Sequence, residues 1–129
     1  MLKLLNKYSH LLISWSLLIL FLTLVPFDSL HVKPEVNVPY FDKMVHTGLF
    51  SLHAYFMAGY LFDRYPIRND KFRLLISAIF FSFLFGFLIE IIQYFIPERS
   101  FEILDLLADF FGIIVGILIF YVKFNFFTN

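Results

Sequence analysis

Four polar side chains interrupt the most apolar part of this chain. Glu90 and Gln93 fall near the end of one long apolar run, and Asp105 and Asp109 near the start of the next. A carboxylate in hydrocarbon is costly, so such groups face a protein interior, a partner or a water-filled cavity. Asp42, Lys43 and His46 open the apolar run before these two, and Arg99 lies in the short break between them. The types offer three chemistries. His46 with Glu90 or Asp109 could exchange protons as general base and acid. The same three could hold a divalent cation through mixed nitrogen and oxygen ligands. Lys43 and Arg99 could meet an anionic head group, with Asp42, Gln93 and Asp105 as further polar contacts. An HExxH pair and a Gly-rich phosphate loop do not occur, and no organic cofactor is called for.

Helical spacing groups these residues. Asp42 and His46 are four apart and share a face, as do Gly86, Glu90 and Gln93. Asp105, Asp109, Gly112 and Gly116 form one stripe, whose glycines let a neighbouring helix approach closely. Glu90 precedes Pro97 by seven residues and Asp109 follows Glu102 by seven. At about 1.5 Å per residue, both lie roughly 10 Å below the break. Facing helices would make them neighbours, and two close carboxylates share a proton or attract a cation. Blander roles stand beside these: Asp42 could cap its helix and Lys43 could snorkel to the interface. Gln93 and Asp105 could tie two helices together.

The elements that position these groups are four apolar runs, residues 11–27, 44–62, 74–96 and 103–122. Each has the length of a membrane helix, about 17–25 residues. Strand-like alternation is missing. The chain of 129 residues is 60% apolar and 16% charged, so a soluble bundle with polar outer faces is excluded. The expected class is all-α: a polytopic four-transmembrane-helix bundle in a single domain, residues 1–129. The N-terminal run lacks a small-x-small cleavage site before Pro26, which favours an uncleaved first helix over a signal peptide. The absence of cysteine excludes disulfides and thiolate chemistry. A net charge of zero gives no reason to expect nucleic acid.

Lys3, Lys7, Arg64, Arg68, Lys71, Arg73 and Lys123 fall on one side of such a bundle, and Lys33, Lys43 and Arg99 on the other. That bias places both termini in the cytoplasm. The chemistry-bearing residues of three helices then lie in the outer leaflet. Tyr8, Trp15, Tyr40, Tyr94 and Tyr121 lie near run ends, as interfacial aromatics do.

The motifs DKxxH at Asp42 to His46, ExxQxxxPxR at Glu90 to Arg99, and DxxxDxxGxxxG at Asp105 to Gly116 resemble the VanZ-like membrane protein family. The likeness runs from about Tyr40 to Phe120. Where that family usually carries Asn, this chain has Asp109, which adds a second ionisable group. The resemblance implies a protein of the bacterial inner membrane and the cell envelope, in a family whose founding member is linked to teicoplanin resistance. Its expected partners are membrane lipids, with an envelope lipid precursor or a glycopeptide as ligand. An intramembrane enzyme, and a small proton-coupled transporter or assembly partner, are the alternatives.

Overall fold

The computed structural model describes residues 7–25, 38–65, 70–97 and 99–128. Lys3, Lys33 and Arg68 of the charge count, and Pro26 of the first apolar run, lie outside them. Four helices and no strand occur among the described residues: α1 (Lys7–Leu24), α2 (Phe41–Arg64), α3 (Lys71–Tyr94) and α4 (Ile103–Thr128). Three of them, α1, α3 and α4, are long and apolar enough to cross a membrane.

The helices outrun the apolar stretches because an α-helix satisfies its own backbone in water as well as in lipid. Asp70 starts α3 ahead of its apolar run, its carboxylate accepting a 2.9 Å hydrogen bond from the Arg73 N–H. At the other end α3 stops at Tyr94, short of the run. Pro97 disfavours helical backbone at Ile96, and the chain turns through Phe95 N–H to the Ile92 carbonyl and Arg99 N–H to the Ile96 carbonyl. Tyr40 precedes α2 with φ 57°, the only positive φ outside glycine among the described residues.

Helix α2 is the centre of the bundle. It packs on α1, α3 and α4, and its contact with α4 is the most extensive. The two run parallel: Lys43 meets Asp105, His46 meets Asp109, and Tyr55 meets Phe120. Helix α3 runs antiparallel to both, with His53 on Ser82 and Phe83 on Phe110. The short link between α3 and α4 suggests that those two form the main pair, yet the parallel pair α2–α4 is the larger contact.

Glycine explains that choice. A Cβ at Gly112 would land on the Thr47 carbonyl oxygen, and one at Gly116 on the Ser51 carbonyl oxygen. The backbones of α2 and α4 touch there, with no side chain between them. Lipid tails are as apolar as Leu, so close packing and hydrogen bonds, rather than escape from water, hold helices together in a bilayer. Phe50, Ala54, Ala58, Ile89, Ile113 and Ile117 fill the core around this seam.

Helix α1 is held partly by polar clamps. Trp15 donates its indole N–H to the Leu49 carbonyl of α2 at 2.9 Å. That bond explains why Trp15 sits deeper than an interfacial aromatic would. At the opposite end the Tyr8 ring lies where a Cβ on Gly59 would be. Lys123 donates to the Tyr55 hydroxyl at 2.7 Å nearby.

Candidate functional site

Because α2 and α4 run parallel, their N-terminal ends lie side by side. Unpaired N–H groups and the helix dipoles make such ends favourable to negative charge. This end is acidic: Asp42 and Asp105 lie in first turns, Glu102 immediately precedes α4, and Glu90 reaches in from α3.

Lys43 closes the outer layer. Its ammonium lies 2.7 Å from Asp42, 2.6 Å from Glu102 and 2.5 Å from Asp105. Partial burial works against its charge, but the hydrogen bonds to Asp105, Asp42 and Glu102 outweigh that and raise its pKa above the usual lysine value. The same contact lowers the Asp42 carboxyl below its usual range. Asp42 therefore neither caps α2 nor stands alone; its carboxylate is spent on Lys43.

The inner layer lies one turn below. His46 Nδ1 is 2.8 Å from Asp109 Oδ1, and His46 Nε2 is 3.9 Å from Asp105 Oδ2. Glu90 Oε2 accepts the backbone N–H of Glu102 at 3.1 Å, so α3 supplies the cap of α4. Glu90 is fully buried and its Oε1 has no hydrogen-bond partner. One ligand atom each from His46, Glu90 and Asp109 fall within 4.8 Å of one another. Glu90 and Asp109 thus lie together, as facing helices with the two acids at equal depth would place them. Gly86 makes room for this: a Cβ there would lie 3.1 Å from Asp109 Oδ2 and 2.9 Å from the Phe50 ring.

Two residues grouped with the site by sequence also bond to α1. Gln93 donates to the Thr23 carbonyl at 2.8 Å, and Arg99 to the Val25 carbonyl at 2.8 Å. Both belong to the last turn and exit of α1, where carbonyls lack partners within the helix. Gln93 therefore ties α3 to α1 rather than to α4. One arm of Arg99 is committed to backbone.

His53 carries no role in the sequence analysis, yet it is fully buried in mid-bundle. It pairs with Ser82 at 3.1 Å and stacks on Phe85 with ring centroids 4.7 Å apart. Its spacing of seven from His46 puts it near the same face two turns down, the one signal that could have marked it. Below the site the core is otherwise apolar at Phe50, Ala54, Ile113 and Ile117.

The fold and the site together define a small helical membrane protein with a buried polar cluster at one end of its bundle. The chain belongs to the VanZ/LLP1 family, whose model matches residues 4–124. That match takes in α1, where the motif resemblance began only near Tyr40. No curated protein and no solved structure matches the chain.

Proposed function

We propose that this protein crosses the bacterial inner membrane four times with both termini in the cytoplasm. Its polar site then opens on the outer face, where it binds or acts on a cell-envelope lipid or a glycopeptide-related ligand. The observation that carries this reading is the gathering of Lys43, His46, Glu90, Glu102, Asp105 and Asp109 at one end of the bundle. An apolar groove between α3 and α4, lined by Ile76, Phe80, Phe83, Leu106, Leu107 and Phe110, runs toward that end. A lipid chain fits such a groove with its head beside the acids.

The charge of that head follows from what the cations already do. Lys43 is surrounded by three carboxylates, and Arg99 donates to a backbone carbonyl. The acids outnumber the free positive charge, so the head that suits the site carries an amine or several hydrogen-bond donors. A purely anionic head, which Lys43 and Arg99 suggest on sequence grounds, suits it less.

Photoactivatable analogues of phosphatidylethanolamine and phosphatidylglycerol, matched in chain length, test this reading in vesicles. The amine lipid should crosslink more strongly at α4 residues near Asp105, and Asp105→Asn should abolish the preference. Equal labelling by both lipids, unchanged in that variant, would count against it. The family context adds an expectation in cells: deleting or overexpressing the protein should shift susceptibility to teicoplanin-type antibiotics.

The 2.8 Å contact of His46 with Asp109 favours one other reading, an intramembrane enzyme. An acid that orients an imidazole prepares its second nitrogen for proton transfer. Formation of product from an envelope lipid in a single turnover, lost in His46→Ala, would decide for it.

A further inference from the structure

We propose that His46, Glu90 and Asp109 form a binding site for one divalent transition-metal cation of the zinc class. Each of α2, α3 and α4 gives one ligand, and the three ligand atoms lie within 4.8 Å of one another. Bonds of about 2.0–2.1 Å to a tetrahedral ion set its ligand atoms roughly 3.4 Å apart. His46 and Asp109, at 2.8 Å, are already closer than that. The Glu90 ligand atom lies within the same 4.8 Å.

A second observation points to a ligand here. Glu90 is fully buried, and its Oε1 is without a hydrogen-bond partner although Oε2 caps α4. A buried carboxylate oxygen left unpaired is costly, and a cation would satisfy it. Charge agrees. Two buried carboxylates face one imidazole, and a dication balances both.

The outer acids show the contrast. Asp42, Glu102 and Asp105 are grouped closely enough to hold a metal as well, but the Lys43 ammonium fills the space between them. No ammonium or guanidinium reaches the inner group among the described residues. Access is through His46, whose side chain keeps 12% of its surface exposed. One imidazole and two carboxylates suit zinc and manganese, with zinc the tighter by the usual order of divalent ions. Three protein ligands leave a fourth position for water or a ligand atom, as in catalytic zinc sites. This deepens the ligand chemistry of the same polar end. A cation would bind there whichever leaflet the site opens to, so its test stands apart from those of topology and lipid preference.

The test uses the full chain in detergent, stripped with a chelator and free of any histidine tag. Titration calorimetry with zinc alone, and Mn2+ electron paramagnetic resonance, read binding directly. One ion per chain should bind, zinc more tightly than manganese. Glu90→Gln and Asp109→Asn should each weaken binding at least ten-fold, whereas Asp42→Asn should change it less than two-fold. Asp109→Asn keeps a hydrogen-bonding partner for His46, so it folds even where Glu90→Gln does not. Absence of saturable binding to the wild type would overturn the proposal. So would zinc affinity that is unchanged in both Glu90→Gln and Asp109→Asn.

Discussion

At the scale of single residues, side chains here are judged by the backbone groups they satisfy. Gln93 completes the Thr23 carbonyl where α1 ends. Replacing it with Leu leaves that carbonyl unpaired in a buried place, at a cost of about 1–3 kcal/mol. Gln93→Leu should therefore lower the unfolding midpoint in detergent, and proteolysis should show α1 released first. Gln93→Glu should fare no better, since a carboxylate cannot donate to a carbonyl. That role was not legible in the sequence, because its partner is a main-chain oxygen seventy residues away. Glu90 and Asp109 were legible, because two carboxylates at equal depth on consecutive helices leave few alternatives.

Lys43 makes a prediction with a pH dependence. Its pKa is raised and that of Asp42 is lowered by the same contact. A lowered acid stabilises the fold above its ordinary pKa, near 4, and the gain is lost as pH falls through the folded value. A raised lysine stabilises it below its ordinary pKa, near 10, and that gain is lost as pH rises through the folded value. The Lys43 cluster should thus contribute a plateau of stability from about pH 5 to 9. Thermal unfolding of wild type and Lys43→Met across pH should show a gap that is constant on the plateau. The gap should narrow below about pH 4, as the Asp42 carboxyl protonates. A gap independent of pH down to pH 3 would show that Lys43 acts by packing alone.

At the scale of elements, the apolar runs fixed four helices but not their neighbours. A glycine stripe predicts close approach without naming the partner, and a short connector favours the helix that comes before. The structure gives Gly112 and Gly116 to α2 instead, where they meet the carbonyls of Thr47 and Ser51. Both obstacles are backbone and cannot swing aside. Gly116→Ala should therefore part α2 from α4 and lower stability by about 2 kcal/mol or more, in the range of overpacked cores. Gly48, on the same α2, has nothing within 4 Å of the place a Cβ would take. Gly48→Ala should be neutral or stabilising, by up to about 1 kcal/mol, through helix propensity. Unfolding of both variants by SDS titration separates the two cases. Equal stability of the two would mean that the seam is looser than the backbone contacts require.

At the scale of the whole molecule, the question is whether α2 crosses the bilayer with the others. It is the one helix that falls short of the apolarity of a membrane span, holding Asp42, Lys43, His46, His53, Asp63 and Arg64. Its position accounts for this. With α1, α3 and α4 packed around it, α2 exposes only Leu52 between residues 49 and 62. Buried polar groups are tolerated there because partners surround them: Asp109 for His46 and Ser82 for His53. Its end residues lie outside the apolar run and need no such cover. A spanning α2 must put Asp42 and Arg64 on opposite sides, and the short link to α3 must return Arg73 to the side of Arg64. The chain has no cysteine, so single substitutions at these three exposed positions give an unambiguous labelling test. In intact cells an impermeant maleimide should label Asp42→Cys, and reach Arg64→Cys and Arg73→Cys only after the inner membrane is opened. Labelling of Asp42→Cys and Arg64→Cys alike would leave α2 at one surface, and labelling of Arg73→Cys alone would turn the acidic end toward the cytoplasm.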